Sequence, residues 1–174
     1  MKSKKIFYLI DILLVIFLVF LDQITKYLAV VNLKDKSALT LIDGVLEFNY
    51  LENKGAAFGM LQNQKLFFVF VAFVFIAVIT FVLIKAPNEP KYTKLHILLV
   101  MICSGAIGNL IDRIRLDYVV DFIYFSLINF PIFNVADIYV TVSTILLIIC
   151  ILFVYKDHDF YFLNFKEQKY RELK

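Results

Sequence analysis

The chain has 174 residues, 61% of them hydrophobic and 19% charged, with a net charge of +3. A soluble domain is roughly 45–50% apolar and about 25% charged. A water-soluble sphere of this size cannot hide so much apolar surface, which excludes a disordered chain, a basic nucleic-acid-binding domain and an ordinary cytosolic enzyme.

A membrane-spanning helix needs about 20 mostly apolar residues, and four runs meet that length. The first, about 6–31, carries Asp11 near one end and Asp22 and Lys26 near the other. It is too long for a cleavable signal peptide and has no small-residue cleavage site before Asp22. A connection over about 32–64 follows. Within it, SALTLIDGVLEFNYLEN alternates in polarity around an Asp43-Gly44 turn signal, which predicts a small β-hairpin or short sheet. The second run, 66–84, contains no charge. A short turn with Pro87 and Pro90 leads to the third run, about 95–113, which is more polar and holds His96, Ser104, Gly105, Gly108 and Asn109. A connection rich in aromatic and β-branched residues, roughly Asp112 to Val135, precedes the fourth run, about 136–155. Residues 156–174 mix Phe160, Tyr161, Phe162 and Phe165 with charges and read as an interfacial cytoplasmic tail. Cys103 and Cys150 sit in apolar runs and read as small buried hydrophobes. The expectation is a single α-helical integral membrane domain, 1–174, with four transmembrane helices and a small extracytoplasmic β segment.

Four spans put both termini on one side. The eleven lysines and arginines on that side outnumber the seven on the other, so the termini are expected in the cytoplasm. With no Trp in the chain, the aromatic belt falls to Phe and Tyr, with Tyr27, Tyr50, Tyr92 and Tyr155 near the expected interfaces.

A carboxylate at membrane depth costs about 2.5–3.5 kcal/mol, so it usually faces a bundle interior or a cavity. Here the polar groups gather near one leaflet. Asp22 and Lys26 share a helix face at i, i+4. Asn109 is spaced i+3 and i+4 from Asp112 and Arg113. Asp137 opens the fourth run, Asp121 stands sixteen residues before it, and Asn53 lies beside Gly55. Asp11, at the opposite surface, reads as interfacial with no functional role. Both histidines, His96 and His158, lie on the cytoplasmic half, so a Ser-His-Asp or Cys-His site on the outer face lacks its base. No zinc-type spacing, HExxH or glycine-rich phosphate loop occurs. What remains is carboxylates. Two aspartates sharing a site cannot easily both ionise, and such a pair supplies both a base for water and an acid for an amide. Each group also has a structural reading. Asp112 and Arg113 can form an ion pair, Asp22 and Lys26 can fix the first helix to the outer segment, Asn53 can be a turn residue, and Asp137 can cap a helix.

The strings DQITK (from Asp22), NKGAAFG (from Asn53), GNLIDR (from Gly108), VVDF (from Val119) and FNVAD (from Phe133), in this order on four spans, resemble the lipoprotein signal peptidase family, signal peptidase II of bacteria. The resemblance implies an aspartic endopeptidase of the bacterial cytoplasmic membrane, active at the outer face. It would remove the signal peptide of a prolipoprotein just before a diacylglyceryl-modified cysteine. It assigns catalysis to Asp121 and Asp137, and site shaping or substrate binding to Asp22, Lys26, Asn53, Gly55, Asn109, Asp112, Arg113, Asn134 and Ala136. It also implies a four-helix bundle with an outer β-cradle and a short amphipathic segment before the fourth helix. Prolipoproteins and membrane lipids are the expected partners, with no nucleic acid, metal or other cofactor. The competing reading from the residues is a small proton-coupled transporter with the aspartates as an ion relay. Transporters tend to spread carboxylates across membrane depth and to break helices, whereas here the acids sit at one edge.

Overall fold

The computed structural model describes residues 4–55 and 61–164; Ala56, Ala57, Phe58 and Gly59 of the NKGAAFG string and residues 165–174 of the expected tail lie outside the described residues. The protein is an α-helical integral membrane protein whose described residues form four long apolar helices and a three-stranded sheet. The helices are α1 (Lys4–Leu33), α2 (Lys65–Lys85), α3 (Thr93–Leu116) and α4 (Val135–Phe153), and the strands are β1 (Leu39–Ile42), β2 (Leu46–Asn53) and β3 (Val119–Tyr124). At about 1.5 Å per residue, the 30 residues of α1 reach beyond an apolar layer of about 30 Å.

The helices differ in what they bury. α3 is the central post: Leu95, Leu98, Leu99, Val100, Ile102, Cys103 and Leu110 are all buried on it, and α1, α2 and α4 pack around it. The other three turn apolar side chains outward, including Phe17, Phe20, Phe70, Phe73 and Ile148. A soluble monomer rarely exposes so continuous an apolar surface; hydrocarbon is the solvent that fits it. Close approach of α3 to its neighbours depends on two glycines. A Cβ on Gly105 would stand 2.5 Å from the Ala136 carbonyl oxygen, and one on Gly108 would collide with the Asp22 carboxylate.

β1 and β2 form the hairpin expected around Asp43-Gly44, with Gly44 at φ 65°, the left-handed region that glycine enters without strain. β3 then adds to β2 in antiparallel fashion, giving the order β1-β2-β3. This third strand is the part of the 112–135 connection that the sequence does not reveal. A 3-10 turn at Ser126–Ile128 follows it, in the stretch where the resemblance implies a short amphipathic segment. Phe122 and Phe48 meet edge to face at 5.8 Å between ring centres, holding the sheet against Ala29 and Leu33 of α1.

The opposite end of the bundle departs from the sequence reading. Tyr92 and Tyr155, expected in an aromatic belt, are buried and stacked on each other at 6.0 Å, and Phe162 packs edge-on against Tyr92. Residues Asp157–Leu163, in the stretch expected as an interfacial tail, form a 3-10 segment folded back on the bundle. The Tyr92 hydroxyl donates to the Asp159 carbonyl at 2.8 Å, and Lys91 pairs with the Asp159 carboxylate. Asp11 also has a partner: its Oδ2 lies 2.9 Å from Nδ1 of the buried His96.

Candidate active site

Five structural elements, α1, β2, α3, β3 and the start of α4, bring the polar residues to one end of the bundle. Asp121 lies on β3 opposite Leu51, and Asn53 on β2 lies opposite Val119. Asn53 and Asp121 are therefore diagonal neighbours on one sheet face, and Asn53 Nδ2 donates to Asp121 Oδ2 at 2.8 Å. Asn53 Oδ1 accepts from the Gly55 backbone N–H at 3.0 Å. The turn role and the contact with Asp121 thus coexist in one side chain.

Asn134 is the N-cap of α4 and Asp137 its third residue, and they form a reciprocal capping box. Asn134 Oδ1 accepts from the Asp137 N–H at 3.0 Å, and Asp137 Oδ2 accepts from the Asn134 N–H at 3.1 Å. Such a box satisfies helix N–H groups that would otherwise be orphaned. The same two side chains reach further. Asn134 Nδ2 donates to Asp121 Oδ1 at 2.6 Å, and Asp137 Oδ1 accepts from Asn109 Nδ2 at 2.8 Å. Asn134 therefore hydrogen-bonds both aspartates.

Asp121 and Asp137 line a single cavity of about 490 Å³, together with Asn53, Gly55, Asn109 and Arg113. Its apolar wall comes from Phe68 on α2, Phe130 and Phe133 from the loop after β3, and Ile138 and Val142 on α4. None of these apolar residues is visible as a site residue in the sequence, where each is one apolar residue among many. Asp121 is 1% exposed. Burial, and next the charge of Asp137, push its carboxyl up to about 7, against hydrogen bonds from Asn53 and Asn134 that pull it down.

Arg113 faces the cavity. Its guanidinium lies 4.8 Å from the Phe68 ring centre, and Nη2 donates to the Gly55 carbonyl at 3.4 Å. The sequence left open an ion pair between Asp112 and Arg113. Asp112 instead pairs with Lys26, Nζ to Oδ2, at 3.0 Å, and accepts from the Val120 N–H at 3.2 Å. Asp22 is paired with Lys26 at 2.9 Å and accepts from the Ala136 N–H at 2.9 Å. It ties α1 to the start of α4, not to the outer segment as the structural reading had it. Asp22, Lys26, Asp112, Asn134 and Ala136 are all buried and form a framework behind the cavity wall. Gln23, which the sequence reading passed over, belongs to it: Nε2 donates to Asp112 Oδ1 at 2.9 Å. Its position beside Asp22 in DQITK was the available signal. Among the described residues, no group of three or more His, Cys, Asp or Glu is placed to hold a metal ion.

A multi-pass membrane protein with a carboxylate-and-amide cavity at one end of its bundle is the class that fold and site define. Comparison with known proteins gives the family. The family described as Signal peptidase (SPase) II matches residues 14–153. A lipoprotein signal peptidase of Caldanaerobacter subterraneus subsp. tengcongensis is 49% identical over 137 residues, covering 78% of this chain and 91% of that protein. One from Clostridium tetani is 42% identical over 145 residues, covering 82% and 92%. A solved bacterial membrane enzyme, obtained by the in meso method at 2.3 Å resolution, superposes with a TM-score of 0.74 at 32% identity, covering 82% of this chain and 87% of that one. The chain belongs to the signal peptidase II family, and is a membrane peptidase.

Proposed function

We propose that this peptidase is an aspartic endopeptidase that removes the signal peptide of prolipoproteins just before a diacylglyceryl-modified cysteine, with Asp121 and Asp137 as the reacting pair. The observation that carries the reading is that both carboxyl groups face one cavity and both are hydrogen-bonded by Asn134. A carboxyl held near 7 suits the acid, so Asp121 starts with the proton and Asp137 is the base. Asp137 takes a proton from water as the oxygen attacks the scissile carbonyl, while Asp121 gives its proton to the carbonyl oxygen. The resulting gem-diol collapses as Asp137 protonates the leaving nitrogen and Asp121 takes back a proton from a diol hydroxyl, which restores the pair. Asn53, Asn109 and Asn134 keep the carboxyl oxygens aimed. Arg113 offers N–H donors to carbonyl or ester oxygens of the substrate.

The apolar wall of Phe68, Phe130, Phe133, Ile138 and Val142 suits a signal-peptide segment and the acyl chains of the modified cysteine, where burial is worth about 0.8 kcal/mol per CH₂. The catalytic end faces the outer side of the bacterial cytoplasmic membrane, with both termini cytoplasmic. The test is turnover of a diacylglyceryl-modified precursor by purified Asp121→Asn and Asp137→Asn. Each loses at least about 100-fold in kcat while remaining folded and membrane-inserted. Near-normal cleavage by either variant removes it from the pair.

A further inference from the structure

Among the described residues, Lys26 is the only lysine or arginine that is buried. Its ammonium meets three acceptors, matching its three hydrogens: Asp22 Oδ2 at 2.9 Å, Asp112 Oδ2 at 3.0 Å and Asn109 Oδ1 at 2.8 Å. Lys26, Asp22 and Asp112 stand behind the cavity, and only Asn109 reaches into it. The chemistry of that contact is directional. An asparagine amide is nearly the same shape at its two ends, and its partners decide which end points where. An ammonium can only donate, so Asn109 must turn Oδ1 to Lys26. The planar amide then directs Nδ2 the other way, where it donates to Asp137 Oδ1 at 2.8 Å. Asn134 Nδ2 reinforces the choice by donating to Asn109 Oδ1 at 3.1 Å. Rotated by half a turn, Asn109 would set N–H against an ammonium and oxygen against a carboxyl.

We infer that Lys26 is a positioning residue whose ammonium fixes the Asn109 amide so that its N–H is delivered to Asp137. The inference rests on Asp121 and Asp137 being the reacting pair. The two acids around Lys26 have a matching role. Asp22 is held by the Ala136 N–H, and Asp112 by Gln23 and the Val120 N–H. Two fixed carboxylates therefore clamp the ammonium, and a clamped ammonium holds the amide.

The test is a double-mutant cycle on kcat with the full chain, purified and supplied with a diacylglyceryl-modified peptide. Lys26→Met lowers kcat about 10–100-fold, the usual cost of losing a group that orients a site residue, with KM little changed. Asn109→Ala lowers it similarly, and adding Lys26→Met to Asn109→Ala costs nothing more. A lysine that only supports the fold would cost as much in the Asn109→Ala background as in the unaltered protein, and that result overturns the inference. If Lys26→Met alone does not yield folded protein, the cycle is run in Asp112→Asn, which removes the surplus carboxylate. Loss cancelled by Asn109→Ala supports the role, and loss that persists refutes it. Asp121→Asn and Asp137→Asn run in parallel. Inactivity of both, with no coupling between Lys26 and Asn109, defeats the positioning role alone, whereas activity in either defeats the reading beneath it.

Discussion

Asn53 and Asp137 each have two jobs that look like alternatives on paper. Asn53 closes a turn with one end of its amide and holds Asp121 with the other. Asp137 caps α4 with one oxygen and faces Asn109 with the other. Side chains with two hydrogen-bonding ends allow this, so a structural role at these positions is no argument against a chemical one. The raised carboxyl of Asp121 makes a signed prediction. Below about 7 it keeps its proton and can act as acid. As pH rises through about 7 that proton is lost, and kcat/KM falls about tenfold per unit, with an apparent pKa belonging to the pair. A pH profile of the purified enzyme that keeps rising through pH 9 contradicts this. The types and positions of the polar residues were legible in the chain, because charge stands out against apolar runs. Their pairing was not. Spacing alone cannot say that Asp112 turns to Lys26 while its neighbour Arg113 turns to the cavity, since consecutive helical residues point about 100° apart and the neighbouring helices decide what each meets.

The decisive element is the start of α4, which carries Asn134, Ala136 and Asp137 and is seated against α3 through Gly105 and Gly108. Gly105→Ala places its Cβ 2.5 Å from a backbone carbonyl and 2.7 Å from Val140 Cγ2. Backbone cannot swing aside as a side-chain tip can, so α4 must shift. A loss of about 1–3 kcal/mol in stability is expected by thermal denaturation in detergent, with activity lost beyond what the folded fraction explains, because Asp137 moves with the helix. Gly44→Ala is the contrasting case. Nothing lies within 4 Å of its Cβ, and the cost of about 1–2 kcal/mol comes only from φ 65°, so turnover per folded molecule is unchanged. Equal activity loss in both variants would refute the seating argument. The strand β3 was the element least legible in the sequence. Its first four residues, Val119 to Phe122, are all buried, so it lacks the alternation that marks a half-exposed strand. Its partner β2 lies far away in the chain, where no local pattern connects them. The β1–β2 hairpin was legible because its turn residues and alternation are local.

At the scale of the molecule, the two ends are built differently. One end is a polar lattice around a cavity; the other is an aromatic knot of Tyr92, Tyr155, Phe160 and Phe162 closed by Lys91 and Asp159. Four apolar runs were enough to foresee the bundle, since length and hydropathy decide what crosses a bilayer. The knot was hidden because tyrosine and phenylalanine near charges read equally well as an interfacial belt. Phe162→Ala removes a buried ring and is expected to lower stability by about 3–5 kcal/mol, read as a lower melting temperature in detergent. Because the ring sits at the far end from Asp121 and Asp137, kcat of the folded fraction stays the same; a fall in kcat would mean that the two ends are coupled. The central claim is that two carboxyl groups act on one bond. The measurement closest to it is a crystal structure of the enzyme with a lipidated peptide whose scissile amide is replaced by a hydroxyl-bearing isostere. One oxygen of Asp121 and one of Asp137 are both expected within about 3 Å of that hydroxyl. A hydroxyl that touches only one of them, or that binds away from both, would contradict it.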